Sequence, residues 1–175
     1  IMTIILTGGA GFIGSNFILN WFKNKSERLV NIDNLTYAGN LNNLDSLDKK
    51  NNYLFIKGDI NDYSLIKKVL DQFKPRAILN FAAESHVDRS IENPKNFVQT
   101  NIVGVYNLLN CTKIFWEGLK KNEKTNFRFL HVSTDEVYGS LSKNAPPFSE
   151  NNQYRPNSPY SASKASSDHL VRSYN

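Results

Sequence analysis

The chain has 175 residues, 40% of them apolar and 12% aromatic, enough for one sizeable core, so a single domain is expected. No apolar run approaches the roughly eighteen residues of a membrane span, and 21% charged residues on this apolar background exclude a disordered tail, leaving a soluble globular chain as the expectation. The net charge of +5 comes from 21 Lys and Arg against 16 Asp and Glu, with the basic residues scattered singly or in pairs such as Lys49-Lys50 and Lys120-Lys121. That spacing reads as solvated faces and argues against a nucleic-acid surface. The single cysteine, Cys111, excludes an internal disulfide, and nothing like a signal peptide precedes the first apolar run, so a reducing cytoplasm is expected. Three histidines, His86, His131 and His169, lie far apart without ligand spacing, and no metal site is expected.

In chain order, Thr3 to Thr7 is a short run rich in β-branched residues, followed at once by Gly8-Gly9-Ala10-Gly11 and then by a helical pattern through about Phe22. That is strand, tight turn, helix. Further strands are expected over Arg28 to Asp33, Tyr53 to Lys57, Arg76 to Ala82 and Phe127 to Ser133. Helices are expected over Tyr63 to Phe73, with Asp62 as cap, over Pro94 to about Leu119, and over Tyr160 to Asn175. Thr36 to Asn52 and Ser142 to Pro159 lack a period and read as exposed loops. Strands alternating with helices imply an α/β fold of the Rossmann type, a doubly wound parallel sheet. Because no strand follows the last helix, the expectation is that residues 1–175 form an incomplete nucleotide-binding domain. On that reading the chain is truncated before the second half of the sheet and before a smaller substrate domain.

Gly8, Gly11 and Gly14 recur every third residue after the first strand, a spacing in which the first permits the turn, the second admits a pyrophosphate and the third lets helix pack on strand. Asp33 ends the second strand nineteen residues after Gly14, where a carboxylate accepts from a ribose diol and repels a 2′-phosphate. The pattern predicts NAD. Tyr160 and Lys164, four apart on a helix, share a face, so the ammonium is expected to lower the pKa of the phenol. Asp135 and Glu136 leave two carboxyls at a strand's C-terminal end, a pair able to supply an acid and a base for removing water across a carbon–carbon bond. Cys111 in its apolar helix reads as a buried packing residue, and Trp21 and Trp116 as core or interface.

The opening Thr7 to Gly14 resembles the extended branch of the short-chain dehydrogenase/reductase superfamily. Adding Leu35 to Asn40, Gly58-Asp59-Ile60, Ala82 to Ser90, Thr100-Asn101, Ser133 to Gly139 and Tyr160 to Lys164, in that order, the chain is similar to the dTDP-glucose 4,6-dehydratase family over essentially its whole length. Epimerases and decarboxylases of the same branch, and a dinucleotide-binding module without chemistry, are the competing readings. Epimerases typically carry small or apolar residues where Asp135 and Glu136 stand.

The resemblance implies a reaction with tightly held NAD in which Tyr160 takes the proton of the glucose 4-hydroxyl as hydride leaves C4. Glu136 then removes the C5 proton, Asp135 protonates the departing 6-hydroxyl, hydride returns to C6 and C5 is reprotonated, giving dTDP-4-keto-6-deoxy-glucose. Thr134 would hydrogen-bond the 4-oxygen, Lys164 would also hold the nicotinamide ribose, Ser133 would orient the oxygen from the strand end, and Ser85 would contact the sugar. Phe12 and Ile13 would lie on the pyrophosphate, and Asp33, Asn34, Leu35 and Thr36 around the adenosine ribose. Asp59 and Ile60 would flank the adenine, while Phe81, Ala82, Ala83, Ser85 and Thr100 would line the dinucleotide toward the nicotinamide. Asn34 departs from the lysine common in the family, weakening only a surface contact. Family members are commonly homodimers through the Pro94 to Leu119 and Tyr160 helices. The missing half would grip the nucleotide sugar, so the 175-residue chain is expected to have little or no turnover alone.

Overall fold

The computed structural model describes residues 2–175. These residues form two compact units, one built from the chain up to Ala82 and from Asn107–Val132, the other from Ala83–Tyr106 and Ser133–Asn175.

The first unit holds the sheet. Strands β1 (Thr3–Thr7), β2 (Arg28–Asp33), β3 (Tyr53–Lys57), β4 (Ala77–Asn80) and β5 (Arg128–His131) are all parallel, in the order β3-β2-β1-β4-β5. β1 is central, and all five of its residues are buried. Successive residues of the strands point to opposite faces, and each face has its own core. Ile5, Val30, Ile32 and Ile78 pack on one side with helix α2 (Tyr63–Phe73) and with Leu108 and Cys111 of helix α5 (Val105–Glu117). Ile4, Leu6, Leu29 and Ala77 pack on the other with Ile18 of helix α1 (Phe12–Asn24). Asp62 caps α2 as expected, its carboxylate accepting from the Leu65 N–H at 3.0 Å.

The expected strands and helices are present, with shorter or broken ends. The fourth strand runs only from Ala77 to Asn80 and the fifth from Arg128 to His131, although the flanking Arg76, Phe81 and Val132 still donate to the carbonyls of Thr3, Thr7 and Asn80. Thr36 to Asn52 is not a loop throughout. Leu41–Leu47 forms a 3₁₀ helix whose Leu44 and Leu47 are buried, and Asn40 caps it by accepting from the Asn42 N–H. Short helix α6 (Lys121–Asn126) follows α5, which ends at Glu117 instead of Leu119.

The second unit is helical: α3 (Val87–Glu92), α4 (Pro94–Phe97), a π-helical stretch Val98–Gly104, a 3₁₀ turn Asp135–Tyr138, and α7 (Pro159–Ser173). The segment expected as one helix from Pro94 to Leu119 is thus α4, the π stretch and α5 in succession. The wider π turn accompanies three hydrogen bonds at buried Asn101, whose amide accepts from Glu84 N–H and donates to the Glu84 carbonyl and to Ser163 Oγ, each at 2.9 Å. α7 starts at Pro159 and ends at Ser173; Ser158 caps it through a reciprocal bond with Ser161.

Candidate nucleotide cradle and acid–base cluster

At the C-terminal end of β1 the chain reverses through Gly8, which has φ +75. A Cβ there would stand 2.5 Å from the Ala82 nitrogen, so only glycine fits the turn. Gly14 packs equally close against the backbone of Gly8 and Gly9. Gly11 differs, because its Cβ would meet nothing nearer than the Gly8 carbonyl at 3.5 Å. It is also the N-cap of α1, which no side chain caps, and Phe12 and Ile13 in the first turn are 81% and 60% exposed. A helix start with open space over its cap and no side-chain partner is an anion-binding geometry.

Buried polar side chains hold this cradle, among them Asn31 and Asn80, which no sequence motif marked. Asn31, buried in the middle of β2, accepts from the Gly9 N–H at 3.1 Å and donates to the Tyr53 hydroxyl at 3.1 Å. Asp33 accepts from the N–H of Ala10 at 2.9 Å and of Leu35 at 2.8 Å, the latter in the left-handed region at φ 55. The carboxylate therefore ties the glycine loop to the end of β2, besides being the group expected to meet a ribose. Asn34 donates to Asp59 at 2.9 Å, which brings two of the expected adenosine residues together. Thr36 continues the loop, its carbonyl accepting from the Gly39 N–H at 3.0 Å. Ile60 is buried and its carbonyl is taken by the Asn107 amide at 2.6 Å, so it contributes to the wall from the core side. Phe81 packs on Phe17, with ring centroids 5.2 Å apart. Across β1, β4 and β5 the Thr7 hydroxyl donates to Asn80 at 2.6 Å, and the Asn80 amide, left with its N–H groups, donates to His131 Nδ1 at 2.9 Å. A polar residue inside a buried strand, as at Asn31 and Asn80, was the sequence signal for this scaffold.

The second unit gathers the remaining candidates. Thr134 caps the 3₁₀ turn, its hydroxyl accepting from the Glu136 N–H at 3.3 Å, and the same side chain hydrogen-bonds the Tyr160 phenol. Tyr160 is 8% exposed and packs edge-on against Phe97 with centroids 6.3 Å apart. Burial first, and the Glu136 and Asp135 charges after it, raise the phenol's pKa, against the lowering influence of Thr134. This reverses the expectation drawn from the Tyr160–Lys164 spacing. Lys164 is itself buried, at 3% exposed, and its ammonium is lowered to about 8 by desolvation, with Asp168 pulling the other way. Burial is the leading cause for both groups.

Asp135 is exposed and Glu136 half-buried, so the two carboxyls of the turn stand in different surroundings. Ser133, expected to orient substrate oxygen, donates to Asp168 at 2.5 Å, and Tyr154 donates to the same carboxylate oxygen at 3.0 Å. Neither Tyr154 nor Asp168 was singled out from sequence. Ser85 is exposed, Ala83 and Thr100 half-buried. Cys111 is buried, and desolvation pushes its thiol up to about 11, in keeping with a packing residue.

A parallel sheet in this order, cored on both faces and opening from β1 into a glycine turn and helix, is a Rossmann-type doubly wound α/β fold. The chain matches the GDP-mannose 4,6 dehydratase family over residues 5–175 and belongs to that family. It is similar to the dTDP-glucose 4,6-dehydratase of Xanthomonas campestris pv. campestris (strain B100), 55% identical over 172 residues, covering 98% of this chain and 48% of that protein. Among solved structures it is similar to the Streptomyces venezuelae dTDP-glucose 4,6-dehydratase with NAD and TYD bound, with TM-score 0.86 and 41% identity over 99% of this chain and 51% of that one. It is also similar to the UDP-glucose 4-epimerase of Thermotoga maritima, with TM-score 0.83 but 29% identity, over 99% of this chain and 51% of that one. The chain spans about half the length of the curated relatives it matches. Among the described residues no helix is long and apolar enough to cross a membrane.

Proposed function

We propose that the protein is a nucleotide-sugar 4,6-dehydratase that uses NAD to convert dTDP-glucose to dTDP-4-keto-6-deoxy-glucose, with residues 1–175 as its NAD-binding domain. The observation that carries this reading is the acid–base cluster of the second unit. The 3₁₀ turn Asp135–Tyr138 packs on α7, which brings Thr134, Asp135 and Glu136 beside the helix of the buried Tyr160, and both carboxylates act on its phenol. An epimerase needs the phenol but has no use for the added acid and base, and the higher identity to dehydratases than to the epimerase supports the same choice.

The cradle residues fit a dinucleotide. Gly11 with Phe12, Ile13 and Gly14 would hold the pyrophosphate, Asp33 to Thr36 the adenosine ribose, Asp59 and Ile60 the adenine, and Phe81 to Ala83 with Thr100 and Lys164 the remainder. Bound there, NAD would supply the hydride acceptor for C4 and the donor for C6. Tyr160 takes the 4-hydroxyl proton, and Thr134 donates a hydrogen bond to the resulting 4-oxygen. Ketone formation at C4 acidifies the C5 proton; Glu136 removes it while Asp135 protonates the leaving 6-hydroxyl, so water departs, and once C6 has regained hydride C5 is reprotonated, which closes the proton balance. Ser85 contacts the sugar. We further propose a cytoplasmic homodimer; Ile91, Val98, Tyr106 and Tyr174 of the second unit offer exposed apolar surface to a second copy.

The test is mass spectrometry of dTDP-glucose incubated with the full-length protein and NAD. A product lighter by one water supports dehydration; an isomer of unchanged mass overturns it in favour of an epimerase, and no product with intact NAD binding favours a binding module. A cradle test accompanies it. Gly11→Ala should leave folding stability within about 0.5 kcal/mol, since the methyl meets only the Gly8 and Ala38 carbonyls at ordinary contact distance, yet weaken NAD at least about tenfold by occupying the pyrophosphate's approach. Unchanged affinity by fluorescence titration would remove Gly11 from the site.

A further inference from the structure

Asp168 is the one buried carboxylate of the second unit for which the reaction just described has no use. It lies on α7, 8% exposed, one helical turn beyond Lys164. One of its oxygens, Oδ2, accepts from two hydroxyls that arrive from separate parts of the chain: Ser133 at the exit from β5, at 2.5 Å, and Tyr154 in the loop before α7, at 3.0 Å. Ser133 is the residue immediately before the Thr134-Asp135-Glu136 turn. The carboxylate thus pins the start of the turn carrying the acid–base pair to the helix carrying Tyr160 and Lys164.

We infer that Asp168 is a positioning residue for the reaction, its carboxylate fixing Ser133 and Tyr154 to α7 and setting a negative charge one turn from the Lys164 ammonium. The inference rests on the dehydratase reading for what Lys164 does, but the anchoring and the charge stand on the geometry. Burial lowers Lys164 to about 8, and Asp168 opposes that lowering. Removing the negative charge therefore moves Lys164 further down, so it loses its proton at a lower pH.

The charged and titratable groups around this carboxylate come from every element packed on α7. On α7 itself they are Tyr160, Lys164, His169 and Arg172, with the His169 ring 5.3 Å from that of Tyr154. The 3₁₀ turn brings Asp135, Glu136 and Tyr138, whose ring is 5.3 Å from that of Tyr154. α3 carries Asp88, Arg89 and Glu92, and α4 carries Lys95, all exposed, while the π-helical stretch has no charged residue. Asp168 is the group among these that acts on Lys164.

The experiment compares full-length wild type with Asp168→Asn, Asp168→Glu and Tyr154→Phe. Two quantities are read in each: the pH profile of kcat/KM, and the Lys164 side-chain titration followed by the NMR shift of its labelled Cε, assigned with Lys164→Arg. Asp168→Asn keeps the volume and an acceptor oxygen but not the charge. Its basic limb and its Lys164 midpoint should both fall by about one pH unit, making the rate above the limb roughly tenfold lower than wild type. Tyr154→Phe removes a hydroxyl only and should leave both midpoints in place. Asp168→Glu keeps the charge, so the midpoints should stay while kcat drops several-fold as Ser133 is displaced; this variant decides the matter if Asp168→Asn does not fold. Wild-type midpoints in Asp168→Asn, or midpoints moved by a full unit in Asp168→Glu, overturn the inference. If wild type forms no dehydrated product, the proposed function falls, and the Lys164 titration alone still decides the role of Asp168.

Discussion

Glu136→Gln should abolish water loss while sparing the oxidation that precedes it. Glutamine has the same shape and keeps the N–H by which residue 136 bonds Thr134, but it takes no proton from C5. A positioned base of this kind contributes about 10²–10⁴-fold to rate. Dehydration, read by mass, should fall by that factor, and solvent deuterium should cease to enter C5. NAD affinity should be unchanged, because Glu136 makes no part of the glycine cradle, and reduced nicotinamide should still be formed on mixing with dTDP-glucose. Dehydration by Glu136→Gln at the wild-type rate would sink the assignment of Glu136, and with it the reason for preferring a dehydratase to an epimerase.

The second large effect concerns the fold that carries the cofactor. Gly8→Ala puts a methyl group at φ +75 and within 2.5–2.7 Å of the backbone of Phe81 and Ala82. Neither neighbour is the flexible end of a side chain: both belong to the segment leaving β4, which the Phe81 N–H binds to the Thr7 carbonyl at 2.9 Å. Left-handed backbone costs an alanine about 1–2 kcal/mol, and forced overlap in a packed region about 1–3 kcal/mol more. A loss of about 2–5 kcal/mol in denaturant unfolding is expected, together with loss of NAD binding. Gly11→Ala is the internal comparison, losing affinity without stability. Equal stability losses in the two variants would mean that the turn at Gly8 is looser than its geometry requires.

Much of this protein was legible before any coordinates. The apolar runs at β1, β2 and β3 mark their strands, and each strand there matches its expected bounds. Period-two burial into two opposite cores and the glycine spacing after β1 follow from local chemistry, because a side chain's alternation and a glycine's missing Cβ are properties of single residues. The acid pair, the tyrosine and the lysine were visible for the same reason, as residue types at informative spacings.

Long-range partners were not visible, since a hydrogen bond between residues far apart in the chain leaves no local pattern. Nothing near Asp168 in sequence announces Ser133 and Tyr154, and nothing near Asn101 announces Glu84 and Ser163, which bracket the π turn that divided an apparently continuous helix. Leu44 and Leu47 likewise sit in a segment without period, because the wall of α1 and β2, not a helical face of their own, buries them. The protonation of the site was decided at the same level. Spacing alone set a cation beside Tyr160 and argued for a more acidic phenol. The folded surroundings bury both groups and add two carboxylates, so desolvation governs the phenol and the ammonium, and desolvation depends on everything packed around a group, which only the tertiary structure specifies.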